Sequence, residues 1–130
     1  MTGHLLLGVL GEPQCAGGLI VAKMQLDLQL AISTTNFALH YGRRRDAPEE
    51  PTVEWEGIPH TRAAHAVLVY AWEEADLFNS TYPIGTEHLL LGLLRVPEGM
   101  GCRLLQYFGI QLDQTRTQRD EFWKLLQLAE

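Results

Sequence analysis

The sequence predicts an all-α fold built from two related helical repeats. A leucine-rich nonapeptide with helical spacing occurs twice, at residues 2–10 and 86–94. Over residues 2–28, ten of 27 positions match the residue 84 positions later, where composition alone gives about two. Apolar residues elsewhere recur at helical spacing, and no stretch of useful length alternates as a strand would.

Length, composition and charge describe a single globular domain over residues 1–130. Apolar residues make up 46% and charged residues 20% of the chain, and the net charge is −6. The negative charge argues against nucleic acid or an anionic membrane as a main partner. No apolar run reaches about 18 residues, the first residues do not read as a secretory signal, and we expect a cytoplasmic protein. Cys15 and Cys102 form no disulfide framework and are predicted to be reduced.

The first repeat is predicted to span residues 2–41 with three helices. The first covers residues 2–11 and ends before a turn containing a proline. A second helix follows from about 15 to 24. Asp27 is placed to cap a third helix that ends near Tyr41, although its Ser and Thr residues are weak helix formers.

A linker is predicted over residues 42–60. It mixes three arginines with five acidic residues and contains three prolines, which interrupt regular structure. A solvated loop is the simplest interpretation. A partner-docking segment is the alternative, and Trp55 supports it.

The second repeat is predicted to span residues 61–130 with four helices, the first of them capped by Thr61. In that first helix, apolar side chains share one face, and Trp72 and Trp123 are expected in the core. The helices are predicted at residues 61–78, 86–95, 100–108 and 113–128.

The repeated nonapeptide has the features of a short buried helix. Thr86 is a good N-cap, and Glu87 in the first turn suits the positive end of the helix dipole. Gly92 inside the helix costs about 1 kcal/mol against alanine, and Gly8 repeats it. A close approach of another helix is therefore predicted at both glycines.

No constellation for catalysis, metal or cofactor binding is found. His60 and His65 are the only close histidine pair, and no third ligand joins them. Neither cysteine nor any serine lies in a nucleophile motif. The only lysines, Lys23 and Lys124, lie outside any glycine-rich phosphate loop, which excludes ATP hydrolysis by this chain. The prediction is a protein that is not an enzyme.

The sequence resembles the Clp amino-terminal domain, the substrate- and adaptor-receiving module of Clp-type AAA+ unfoldases. The similarity rests on Gly85–Arg95, Pro97–Gly99 and Gly109–Leu112, with Glu73–Ala75 upstream. It implies two four-helix repeats in a pseudo-twofold arrangement and a binding module without catalysis. It also implies an adaptor or accessory factor whose partners are Clp ATPase or protease components, client proteins or other adaptors.

The resemblance implies candidate peptide-binding residues only in the second repeat. In some family members a glutamate of each Thr-Glu-His motif binds phosphoarginine with a threonine at the start of each repeat's first helix. Glu87 and Thr61 match one such site, but Gly3 replaces the other glutamate. Glu87 acting only on the helix dipole is the alternative. Phe78 and Tyr82 flank the turn before the motif and are candidates for the rim of a groove.

The first repeat lacks the counterpart of helix 61–78. One side of helix 2–11 would then have no neighbouring helix, and its leucines would form an exposed apolar patch. This patch suggests a self-associating protein as the alternative function, with a homodimer as the simplest form. A native start upstream of Met1 is the other explanation. The leucines concerned are Leu5, Leu6, Leu7 and Leu10.

Overall fold

The computed structural model describes residues 2–12, 14–41, 52–55, 58–78 and 84–129. Within them the chain forms seven helices and one β-hairpin, so the all-α fold class is confirmed. The helices are α1 Thr2–Leu10, α2 Ala16–Lys23, α3 Leu28–Tyr41, α4 Arg62–Phe78, α5 Thr86–Leu94, α6 Met100–Tyr107 and α7 Leu112–Ala129.

The helices repeat with the register of the sequence. Helices α1, α2 and α3 begin 84 residues before α5, α6 and α7. The connection after α2 and that after α6 also match: Gln25 and Gly109 both have positive φ, 64° and 83°. Helix α4 has no counterpart among the described helices of the first half, as predicted.

A short hairpin lies in the predicted linker and ends one residue beyond it, at Thr61, so the prediction that this stretch has no regular structure is wrong there. Strand β1, Thr52–Trp55, pairs antiparallel with β2, Ile58–Thr61. Four-residue strands are too short for an alternation pattern to be recognised. A two-stranded ribbon also has two free edges, which tolerate the missing amide of Pro59. The remaining linker residues lie outside the described part of the chain.

The core is centred on the two copies of the leucine-rich helix. Leu90 and Leu93 of α5 are fully buried, and so are Leu6 and Leu10 of α1. Helices α3 and α6 both pack on α1, where Leu39 and Met100 fill the space around Gly3. The predicted leucine patch on α1 is largely covered, because Leu6 and Leu10 are fully buried and Leu5 packs against the core.

Helices α4 and α5 cross at Gly92. A Cβ at this position would lie 2.5 Å from the carbonyl oxygen of Val67 and 3.1 Å from the amide nitrogen of Ala71. The predicted close approach is thus confirmed at Gly92. It is wrong at Gly8, which is exposed and has no heavy atom within 4 Å of a Cβ position.

The two repeats exchange hydrogen bonds at their helix starts. The hydroxyl oxygen of Thr86 accepts from the amide of Gly17 at 2.9 Å, and that of Thr2 accepts from the amide of Gly101 at 2.9 Å. Gly85 is the N-cap of α5, so the prediction of Thr86 as N-cap is wrong. Its hydroxyl accepts a hydrogen bond from the other repeat and does not cap its own helix.

Candidate protein-binding groove

Thr61 is the last residue of β2 and caps α4, as predicted. Its hydroxyl oxygen accepts from the amide of Ala64 at 3.1 Å. This bond satisfies one of the amides that the first turn of a helix leaves without an intrahelical partner.

Glu87 lies in the first turn of α5 and is almost completely buried, with 3% of its surface exposed. Its carboxylate folds back over Gly85, where a Cβ would stand 2.5 Å from Oε1. A side chain at position 85 would displace the Glu87 carboxylate from this place. The negative charge sits at the positive end of the helix dipole, which stabilises the buried carboxylate.

His88 completes the start of α5. Its Nδ1 accepts the amide hydrogen of Gly85 at 2.9 Å, and burial lowers the pKa of the ring despite the neighbouring Glu87. Glu87 Oε1 lies 3.3 Å from the same nitrogen. Since a nitrogen that accepts a hydrogen bond carries no proton, the ring is neutral and the two side chains form no ion pair.

The side chains of Phe78 and Tyr82 lie outside the described residues. Phe78 is the last residue of α4, and Tyr82 is one of residues 79–83, which the structure does not describe. Their predicted place at the rim of a groove stays a prediction.

An apolar groove of about 300 Å³ lies beside the α4–α5 crossing. Trp72 is 63% exposed there, and Ile84 and Val69 are 50% and 41% exposed. The expectation that Trp72 is a core residue is therefore wrong. The groove is lined by His65, Leu68, Val69, Ala71, Trp72, Ile84 and Leu89.

The position of Trp72 follows from helical geometry. Val67, Ala71 and Ala75 form the buried face of α4, and a residue directly after Ala71 points about 100° away from that face. This spacing is visible in the sequence and indicates that Trp72 lies off the buried face of α4. The general preference of tryptophan for burial suggests the opposite.

A buried carboxylate on α4 forms ion pairs with arginines of neighbouring segments. Glu74 is fully buried and accepts hydrogen bonds from Arg116, Arg119 and Arg95. Burial alone would raise the pKa of Glu74, but the bonds from Arg116 and the three positive charges outweigh it and lower the pKa. Arg95 also stacks over Tyr70, 4.2 Å from the ring centre.

The described residues contain no cluster of three or more His, Cys, Asp or Glu that is suited to a metal ion. Both cysteines are free thiols. Cys15 Sγ accepts the amide of Gly18 at 3.3 Å at the start of α2, and burial raises the pKa of Cys102. None of the described helices is long and apolar enough to cross a membrane.

A duplicated helical bundle with an apolar groove is typical of small helical binding domains. Sequence comparison identifies the family of such domains to which this chain belongs. The profile of the Clp repeat (R) N-terminal domain family matches residues 59–129. The chain belongs to this family, as the resemblance predicted.

Curated relatives extend the match over most of the chain. A ClpA homologue described as an ATP-binding subunit of the ATP-dependent Clp protease, from Guillardia theta, is 35% identical over 90% of this chain. The chloroplastic chaperone ClpC1 of Oryza sativa subsp. japonica is 35% identical over 90%, and ClpB of Oceanobacillus iheyensis is 33% identical over 90%. The chain spans only 12–13% of the length of these relatives.

Proposed function

We propose that this chain is a non-catalytic protein-binding module that acts as an adaptor or accessory factor for a Clp-type unfoldase or protease. Family membership supports the Clp connection, and the relatives are named as ATP-binding Clp protease subunits and chaperones. The observation that carries the proposal is the apolar groove between α4 and α5 with the exposed Trp72. Exposed tryptophans in grooves are frequent binding hot spots.

The proposed partners are Clp ATPase or protease components and client proteins. The test is capture of Clp components from native lysate, at low salt, on the immobilised chain. Trp72→Ser is expected to lose this capture. Leu125→Ser is the matched control, because Leu125 is 53% exposed on α7 and lies outside the groove lining. Failure to recover any Clp subunit with the unmodified chain, or equal capture by both variants, would overturn the proposal.

Phosphoarginine binding by Glu87 and Thr61 is a narrower proposal from the family resemblance. The burial of Glu87 and the capping bond of Thr61 favour structural roles for both side chains. Titration of an arginine-phosphorylated peptide against the unmodified chain and Glu87→Gln separates the two roles. Unchanged affinity in the variant would leave Glu87 with its role at the helix start alone.

Self-association is a second candidate function. The open side of α1 at Gly8 favours it, since the equivalent side of α5 is covered by α4. A second copy of the chain is a natural cover for this side. Light scattering after gel filtration is expected to show a dimer, and a monomer at high concentration would remove this candidate.

The location in the cell also belongs to the proposal. Action in the cytoplasm is our prediction from the sequence, and the relatives include chloroplast proteins.

A further inference from the structure

We propose that the outer face of α3 is a homodimer interface, in which Leu30 of one copy packs against Phe37 of a second copy. This inference rests on self-association, the second candidate function, and places it on a surface other than the open side of α1.

Leu30 and Phe37 form an exposed apolar stripe on α3. They are 60% and 65% exposed, and their separation of seven residues, about two helical turns, puts both on one side of the helix. Ala31 and Thr35, which are fully buried, mark the side that faces the core. Ser33 is exposed between the two large side chains, and its small size leaves room for a second helix to approach closely.

The second repeat shows what a solvated version of this face looks like. Helix α7 begins 84 residues after α3, so Leu30 corresponds to Gln114 and Phe37 to Glu121, which are both exposed. Polar side chains are thus compatible with the helix at these two positions. The core does not require Leu30 and Phe37 to be apolar, and an interface accounts for them.

The absence of charge on α3 points the same way. Residues 28–41 contain no Asp, Glu, Lys or Arg, whereas the equivalent residues 112–125 contain six of them. Exposed helix faces normally carry charged side chains, and the centres of protein interfaces are depleted of them. The face of α3 therefore has the composition of a surface that is covered by protein.

The distribution of charge along the chain favours a second copy as the partner. The net charge of the chain is −6, but residues 2–41 contribute only −1 to it. Two copies that meet through α3 keep their more acidic parts apart, so their mutual repulsion is small. Pairing through any face of α7 would instead bring several charged side chains together.

The stripe is also complementary to itself. Antiparallel pairing about a twofold axis next to Ser33 brings Leu30 of each copy onto Phe37 of the other and places the two Ser33 side chains next to each other. Helix α3 has 14 residues and is therefore about 21 Å long. An interface of this length buries less than the roughly 1,200–2,000 Å² of stable complexes, so we expect a weak dimer with a dissociation constant of about 0.1 mM.

Sedimentation equilibrium of the full chain, up to about 1 mM, tests the proposal. The double variant Leu30→Gln and Phe37→Glu gives α3 the residues that α7 has at these positions. It is expected to raise the dissociation constant at least tenfold while the circular dichroism spectrum stays helical. Leu125→Gln is the matched control, because it removes an apolar side chain that is 53% exposed on α7, and it should leave the dimer unchanged.

A charge exchange at Ser33 tests the twofold arrangement. Ser33→Glu and Ser33→Lys should each be monomeric alone, because like charges meet at the axis, and an equimolar mixture of the two should dimerise again. A chain that stays monomeric, a dimer that the double variant leaves intact, or a mixture that does not associate would overturn the inference.

Two further outcomes separate this inference from the proposed functions. A dimer that only Gly8→Gln dissociates would keep self-association on the open side of α1 and overturn the α3 interface. Capture of Clp subunits that depends on Trp72 tests the adaptor function independently, because Trp72 lies in the groove beside α4 and α5 and not on α3.

Discussion

Gly8 and Gly92 occupy the same position in the two copies of the leucine-rich helix, yet only Gly92 lies against another helix. Helix α4 crosses α5 so closely that a Cβ on Gly92 would stand 2.5 Å from the carbonyl oxygen of Val67. A Cβ on Gly8 would meet no heavy atom within 4 Å. Two identical residues in equivalent sequence positions therefore carry different structural constraints.

This contrast predicts opposite effects of the same substitution. Gly92→Ala should lower the free energy of unfolding by about 2–3 kcal/mol, because α4 must move to admit the methyl group. Gly8→Ala should raise it by about 0.5–1 kcal/mol, because alanine favours the helix and nothing obstructs it. Urea unfolding followed by circular dichroism measures both. Equal effects of the two variants would contradict the difference in packing.

The hydroxyl of Thr86 is predicted to stabilise the contact between the repeats. Thr86→Val keeps the shape of the side chain but leaves the amide of Gly17 without its acceptor, and should cost about 1–3 kcal/mol. Thr86→Ser keeps the hydroxyl and should cost less than Thr86→Val. Thermal denaturation compares the two, and a valine variant as stable as the serine variant would argue against this hydrogen bond.

Glu74 is predicted to be the most sensitive charged residue of α4. Glu74→Gln leaves three guanidinium groups around a neutral side chain and should cost about 3–5 kcal/mol. Glu73→Gln removes the same charge from the neighbouring half-exposed position and should cost less than about 1 kcal/mol. Chemical denaturation distinguishes them. A small loss for Glu74→Gln would mean that the cluster contributes little to stability.

Acid should destabilise the fold through His88. Because burial lowers the pKa of His88 from 6.5, the unfolded chain takes up its proton at a higher pH than the folded chain. The resulting stability is complete above pH 6.5 and is lost as the pH falls toward the folded-state pKa. His88→Asn retains an acceptor for the amide of Gly85 and should flatten the pH dependence of unfolding just below pH 6.5. His4→Asn, at the exposed equivalent position, is the matched control outside this buried site.

Gln25 and Gly109, the residues with positive φ after α2 and α6, predict opposite changes in stability when each is replaced by the residue type of the other. In both repeats the amide three residues past the last helical residue reaches back by the same bond, Leu26 to Val21 and Ile110 to Leu105, which is the Schellman arrangement. Glycine adopts its positive φ without strain, whereas glutamine does not. Gln25→Gly should therefore stabilise the chain by about 1 kcal/mol, and Gly109→Gln should destabilise it by about 1 kcal/mol. Changes of the same sign in urea unfolding would contradict this.

Local patterns sufficed to predict the helices but not their contacts. The spacing of leucines and the duplicated register placed every helix within about one or two residues of its observed bounds. The start of α3 was predicted from Asp27, which accepts from the amide of Leu30 at 3.2 Å. These features depend on neighbours a few residues apart, which the sequence displays directly.

The remaining features depend on residues far apart in the chain. The Glu74 cluster joins residues 42 and 45 positions apart, and no local pattern indicates such a pairing. The sequence suggests that Thr86 caps its own helix, because its partner, Gly17, belongs to the other repeat. Of the candidate site residues, Thr61 was predicted correctly as a cap. The sequence does not reveal that Trp72 lies in the groove and not in the core, because that choice depends on which face of α4 the neighbouring helices cover.

The exchanged threonine bonds have a consequence for how this chain is made. The hydrogen-bond partner of Thr2 is Gly101, 99 residues later in the chain, and that of Gly17 is Thr86, 69 residues later. Helices α1 and α2 are therefore synthesised long before their partners. They cannot complete these contacts until α6 has been translated. We expect the nascent first half to be the stage at which the chain is most exposed to chaperones and proteases.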